Sequence, residues 1–143
     1  MDIERQKLLS TAHAFVSAYN AWTVDSVLSV RSPTCIHRTL PTSTSTPDRN
    51  NAEFGKLLES VIPIFRNFHL TILDEDDIIV DAASRKVVLH LQSNADTKAG
   101  PYSNEYFFIL TMSRDGRQVD KVVEFLDSEY TAQIVGKLGG VAG

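Results

Sequence analysis

The chain is predicted to fold as an α+β domain: a cone-shaped, curved antiparallel sheet packed with three N-terminal helices. Two observations carry this. Three segments with apolar residues at three-and-four spacing come first, and five short runs rich in β-branched and aromatic residues follow with little interleaving. The chain has 143 residues, and at roughly 150 per domain one domain spanning 1–143 is expected, with one sizeable core.

Leu8, Leu9, Ala12, Phe15, Val16 and Tyr19 form one apolar stripe on a helix that starts near Asp2 and ends near Asn20. Thr23 is placed to cap a second, shorter helix carrying Val24, Val27, Leu28 and Val30. Ser32-Pro33 stops it, because proline disfavours the α region in the residue before it. Cys35 to Leu40 reads as a short extended piece, and Pro41 to Pro47, all Ser and Thr between its prolines, as a loop. Asn50 and Glu53 have the spacing of a capping box ahead of Phe54, Leu57, Leu58, Val61, Ile62 and Phe65, a third amphipathic helix that Pro63 ends or bends. From Phe68 the pattern changes. Phe68–Leu73, Ile78–Val80, Lys86–Asn94, Asn104–Ser113 and Gln118–Leu126 read as strands, the last four as an antiparallel meander with Asp115-Gly116 at its final hairpin. Ser128 to Leu138 forms a closing helix, and the end from Gly139 to Gly143 is expected to fray. A sheet of this order, bent around three helices, encloses a cone-shaped pocket walled by the first helices and the concave strand face.

Hydrophobic residues at 43% and charged residues at 22% set aside disorder, collagen and coiled coil. A formal charge of −4 argues against nucleic acid or an anionic membrane as partner, since both draw on clustered Lys and Arg. Cys35 is the single cysteine and cannot form an internal disulfide, and Met1–Leu9 lacks the apolar core of a signal peptide; an intracellular, cytoplasmic location is expected. No stretch approaches the ~20 apolar residues of a spanning helix, so no membrane insertion is expected. His13, His37, His69 and His90 lack the close spacing of a metal pair, and there is no Gly-rich phosphate loop or nucleophile elbow. Neither a metal nor another cofactor is expected. The acidic run Asp74 to Asp77 reads as a solvated turn.

Tyr19-Asn-Ala-Trp22, Arg31-Ser-Pro-Thr-Cys-Ile-His-Arg38, Pro41, Gly100-Pro-Tyr-Ser-Asn-Glu-Tyr106 and Val123-Glu-Phe-Leu-Asp-Ser128 run in order along nearly the whole chain. They resemble the SnoaL-like branch of the nuclear-transport-factor-two-like superfamily. Within it, the chain resembles the small fungal isomerases of meroterpenoid biosynthesis of the terretonin and austinol type. The resemblance implies a homodimer built through the sheet, a cofactor-free pocket and a polycyclic terpenoid–polyketide as small-molecule substrate. It also implies an intramolecular reaction, in which retro-Claisen attack of a substrate hydroxyl or ester oxygen opens a β-dicarbonyl unit and a new lactone closes.

Glu124 is the sharpest catalytic candidate. It interrupts Val122-Val-Glu-Phe-Leu126, apolar on both strand faces, so either orientation buries it in part; alternation groups it with Asp120, Val122 and Leu126 on the side assigned to the pocket. Burial raises a carboxyl pKa and a nearby Arg lowers it, and a value between those limits suits a general base or acid near neutral pH. Ordinary pairing across the sheet is the competing reading. Arg38 is the second catalytic candidate and the expected partner of Glu124: its charged fork suits an enolate or carbonyl oxygen that gains charge, against the competing reading of a surface Arg. His37 has the opposite parity, so at most one of the two faces the cavity. Substrate contacts are assigned to Phe15, Tyr19 and Trp22 on the first helix stripe, to His69 and His90 on strands, to Ser60 beside the stripe of the third helix, and to Tyr106. Each also has an ordinary packing reading. Some relatives resemble this chain but carry an acid on the helix wall where Ser60 stands, and Asp127 is expected to cap the closing helix. The expected function is a cofactor-free isomerase. A dehydratase or epoxide hydrolase of secondary metabolism, and a non-catalytic dimeric ligand-binding module, are the alternatives.

Overall fold

The structure is a computed structural model and describes residues 2–139. It opens with α1 (Ile3–Asn20) and α2 (Val24–Leu28), each started by a side chain that accepts from a backbone N–H of the first turn: Asp2 from Arg5, Thr23 from Ser26. The stripe predicted on α1 is buried at Leu8, Ala12, Phe15, Val16 and Tyr19. β1 (Arg31–Leu40) begins at Arg31 rather than Cys35, so Ser32-Pro33 lies inside a strand instead of stopping a helix. A 3₁₀ turn, Thr42–Thr44, occupies the Ser/Thr loop, and α3 (Asn51–Val61) starts with both halves of the Asn50–Glu53 capping box in place. There follow β2 (Arg66–Ile72), β3 (Ile79–Asp81), β4 (Lys86–Thr97), β5 (Gly100–Met112), β6 (Val119–Leu126) and α4 (Ser128–Lys137).

The sheet order is β1-β6-β5-β4-β2, with β3 also on β4. Every pair is antiparallel except β1–β6, which is parallel and makes the sheet mixed. A parallel pair needs a long connection, and here the whole of α3 and the meander separates its two strands. The final hairpin is also looser than predicted. Asp115-Gly116 sits within a Ser113–Gln118 loop where only Gly116 takes a positive φ, +75°. Its carbonyl accepts from the Thr11 hydroxyl, and a Cβ at that position would come within 2.9 Å of the Lys7 side chain.

Alternation on β4 and β5 turns Val87, Leu89, Leu91 and Ser93 inward from one strand and Tyr102, Asn104, Tyr106, Phe108 and Leu110 from the other. These rows close against α1 and α3 around a common core. The core becomes polar towards the β4–β5 hairpin, where Ser93, Thr97 and Asn104 are buried. α4 lies over that end. Ile134 and Leu138 pack with Ala95, Tyr102, Phe65 and Phe68, while the Ser103 N–H donates to the Tyr130 hydroxyl at 3.1 Å. No helix among the described residues is long and apolar enough to cross a membrane. Of the end expected to fray, Gly139 to Gly143, residues 140–143 lie outside the described range.

Candidate active site

The concave face of the sheet, α1, α3 and the start of α4 enclose a cavity of about 120 Å³. Its wall is aromatic and aliphatic: Tyr19 and Trp22, then Phe54, Leu57, Leu58 and Val61 of α3, Phe68 and Leu70 of β2, and Phe108 of β5. Glu124 is the one charged residue among the described residues that line it. The alternation of β6 turns Val122, Glu124 and Leu126 inward, so the carboxylate projects from the apolar strand into the cone.

Glu124 does not stand alone. Its Oε1 lies 2.7 Å from Nε2 of His37, whose side chain is 1% exposed. The imidazole stacks on Phe54, ring centroids 4.3 Å apart, and its Nδ1 lies 3.0 Å from a guanidinium nitrogen of Arg31. A guanidinium has no acceptor, so Nδ1 must offer its lone pair and the ring proton resides on Nε2, from which it donates to Glu124. Arg31 therefore sets the tautomer. Burial, with the Arg31 charge beside it, pushes the His37 pKa down despite the opposing pull of Glu124, and the ring is neutral near pH 7. The other arm of Arg31 donates to the Tyr19 hydroxyl at 2.8 Å, and its guanidinium lies over the Phe54 ring at 4.3 Å. Burial raises the pKa of the Tyr19 phenol, which keeps its proton. No acceptor for that proton lies among the described residues, and Tyr19 is part of the cavity wall.

The strand geometry explains how Arg31 reaches His37. Pairing of β1 with β6 jumps from Arg31↔Val119 to Ile36↔Lys121, so the intervening residues loop out and draw the two side chains together. A second polar group lies on the β5 wall. The Ser93 and Tyr106 hydroxyls are 2.6 Å apart, and Asn104 donates to Tyr102 at 2.9 Å and to Thr131 of α4 at 3.0 Å.

The structure corrects several predicted positions. Arg38 faces outward, because its register partner is Val123 while Glu124 lies opposite Thr39, and its fork binds Asp48 at 2.9 and 3.1 Å. His37 holds the place next to Glu124 that Arg38 was expected to take. Ser60 is exposed, away from the buried Phe54–Leu58–Val61 stripe, with its hydroxyl turned back towards the Lys56 carbonyl. Phe15 is fully buried beneath Arg31 and is core, outside the cavity wall. His69 is on the outer face of β2, since Phe68 and Leu70 take the inner one, and His90 is on the outer face of β4, stacked on Phe107 and bonded to Glu105. Tyr19, Trp22 and Tyr106 do line the cavity. Trp22 is held there in a left-handed backbone conformation, φ +50°, by its indole N–H donating to the Phe65 carbonyl at 2.7 Å and by stacking on Phe68. Asp127 caps α4 as expected.

A curved mixed sheet closed by helices around a cone is the architecture of the SnoaL-like proteins of the nuclear-transport-factor-two-like superfamily, and the structural neighbours place the chain in that class. No protein-family model matches the chain. Austinoid biosynthesis cluster protein F of Aspergillus calidoustus is 38% identical over 128 residues, covering 90% of this chain and 73% of that protein. BvnE pinacolase from Penicillium brevicompactum superposes with a TM-score of 0.92 at 32% identity, over 96% of this chain and 94% of that one. PrhC from Penicillium brasilianum superposes with a TM-score of 0.90, also at 32% identity, over 94% and 89%. The chain belongs to the fungal SnoaL-like family of secondary metabolism that includes the austinoid cluster proteins.

Proposed function

We propose that the protein is a cofactor-independent isomerase of fungal meroterpenoid biosynthesis that acts on a polycyclic terpenoid–polyketide with Glu124 as its general base. The observation that carries this reading is a carboxylate inside an apolar cone, oriented at 2.7 Å by a histidine whose tautomer Arg31 dictates. Glu124 removes the proton of a substrate hydroxyl, and the resulting alkoxide adds to one carbonyl of a β-dicarbonyl unit. The bond from that carbonyl carbon to the central carbon then breaks, and its electron pair becomes an enolate. The acyl–oxygen bond just formed closes a lactone, the proton on Glu124 returns to the enolate carbon, and the mass of the substrate is unchanged. In place of Arg38, the Tyr19 hydroxyl, polarised by Arg31, donates to the enolate oxygen as charge develops.

The likeness to a pinacolase supports a second reading for the same base. Deprotonating a hydroxyl drives a carbon substituent of its carbinol carbon to migrate with its bonding pair onto an adjacent carbonyl carbon, so that the carbinol carbon becomes a ketone, the former carbonyl oxygen takes the proton as a new hydroxyl and the mass is unchanged. Mass spectrometry and carbonyl carbon chemical shifts of products from polycyclic keto-alcohols separate the readings. Unchanged mass with a new ester carbonyl is expected. A new ketone instead supports the pinacol-type shift, loss of water a dehydratase, and ligand binding without turnover a carrier.

We further propose that the protein works as a homodimer through the outer face of the sheet. Phe107 and Phe125 lie opposite each other on β5 and β6 and remain 53% and 49% exposed, next to Ile109 and Val123. A contiguous apolar patch of this kind marks an interface.

A further inference from the structure

The cone is small for the substrate class proposed above. Its volume of about 120 Å³ is well under the roughly 300–1,000 Å³ of pockets that enclose drug-sized molecules, so a fused ring system does not fit wholly inside it. A larger space adjoins it, a cleft of about 610 Å³ between the Thr42–Thr44 turn and α4. Leu126 and Thr131 line both spaces, which are therefore neighbours at the end of β6. Their walls differ in chemistry. Where the cone is aromatic, the cleft presents the hydroxyls of Ser43, Ser45 and Thr46 and the guanidinium of Arg49.

These groups are held in place but not used. Both the N–H and the hydroxyl of Thr44 bond the Pro41 carbonyl, at 3.1 and 2.9 Å, which fixes the turn. Arg49 exchanges two backbone hydrogen bonds with His37, at 2.8 and 3.0 Å, so the cleft cation is tied to the residue that orients Glu124. Among the described residues, neither the Arg49 guanidinium nor the Ser43, Ser45 and Thr46 hydroxyls have a side-chain hydrogen bond or ion pair. A guanidinium only donates, so its ligand must accept. Glu129 of α4 lines the cleft as well and sets a negative group across from this donor set.

We propose that the cleft is the second compartment of the substrate site and that Arg49 and the Ser43–Thr46 hydroxyls take a carboxylate or ester carbonyl at the oxygenated end of the substrate, while the reacting ring enters the cone at Glu124. The proposal rests on the cone being a substrate pocket and not on the reaction assigned to it.

Trp22 is the only tryptophan of the chain and lines the cone, so its fluorescence reads occupancy without turnover. Wild type, Arg49→Gln and the double variant Ser43→Ala/Ser45→Ala are titrated with cyclohexanone, with a tetracyclic steroid ketone bearing a side-chain carboxylate, and with its methyl ester; circular dichroism confirms folding. Both variants are expected to bind the carboxylate or its ester about tenfold more weakly and cyclohexanone unchanged. Loss confined to the acid identifies a carboxylate as the ligand group, and equal loss for acid and ester identifies a carbonyl. Unchanged affinity for all three probes, or the same loss on all three, overturns the cleft. If none of the ketones perturbs Trp22 in any of the proteins, the cone is not a substrate pocket and the cleft proposal falls with it.

Discussion

At Arg31 the chemistry of three neighbours is decided by one property, the lack of any acceptor on a guanidinium. His37 is forced to present a lone pair to it and a proton to Glu124, and Tyr19 is polarised by its other arm. This has a consequence for stability. The pKa of His37 is depressed below its ordinary 6.5 by burial, so between the folded and unfolded values the unfolded chain binds the extra proton. Stability is therefore full above about pH 6.5 and falls as the pH drops through that value, by up to about 1.4 kcal/mol per pH unit until the folded group also titrates. Urea melts between pH 7 and 5 should show this fall, and His37→Gln should flatten it; the same slope in both proteins would assign the proton uptake elsewhere. Glu124 was legible in the sequence because a carboxylate breaking an apolar strand has few places to go. Arg31 and His37 were not. The parity of β1 made His37 and Arg38 rivals, and the permanent charge of Arg38 decided the choice in its favour, wrongly; Arg31 preceded the predicted strand, joined to it by a bulge that no local pattern announces.

Among the elements, α4 is the one the rest of the fold holds least. It contributes Ile134 and Leu138 to a small cluster apart from the main core, and its first turn depends on the Asp127 carboxylate accepting from Tyr130. Asp127→Ala should cost about 1 kcal/mol locally and speed amide exchange throughout α4 while leaving the amides of β4 unchanged. Equal acceleration in both would mean that α4 unfolds only with the whole molecule. Helices α1 and α3 were readable because periodicity and caps are local signals. The strands were read too short at β4 and β5, where the inward row turns polar at Ser93 and Asn104 and the apolar alternation fades. The parallel pairing of β1 with β6 had no signal at all, since it joins segments at opposite ends of the chain.

At the scale of the whole molecule, the sheet has two faces with two uses: the concave one holds Glu124, and the convex one leaves Phe107 and Phe125 half in water. If that face joins two copies, Phe125→Glu should shift the protein from dimer to monomer in sedimentation at micromolar concentration, whereas a wild type already monomeric there would remove the interface. The alternation of β6 places Glu124 and Phe125 on opposite faces, so a change at the interface need not disturb the cone. The most direct test of the account is the rate of Glu124→Gln on a polycyclic keto-alcohol that the wild type converts. Glutamine retains an oxygen for the His37 N–H but cannot take a proton at ordinary pH. Turnover is predicted to fall by about 10²–10⁴ while the substrate still perturbs Trp22 fluorescence; conversion at the wild-type rate would show that the carboxylate in the cone is not the base.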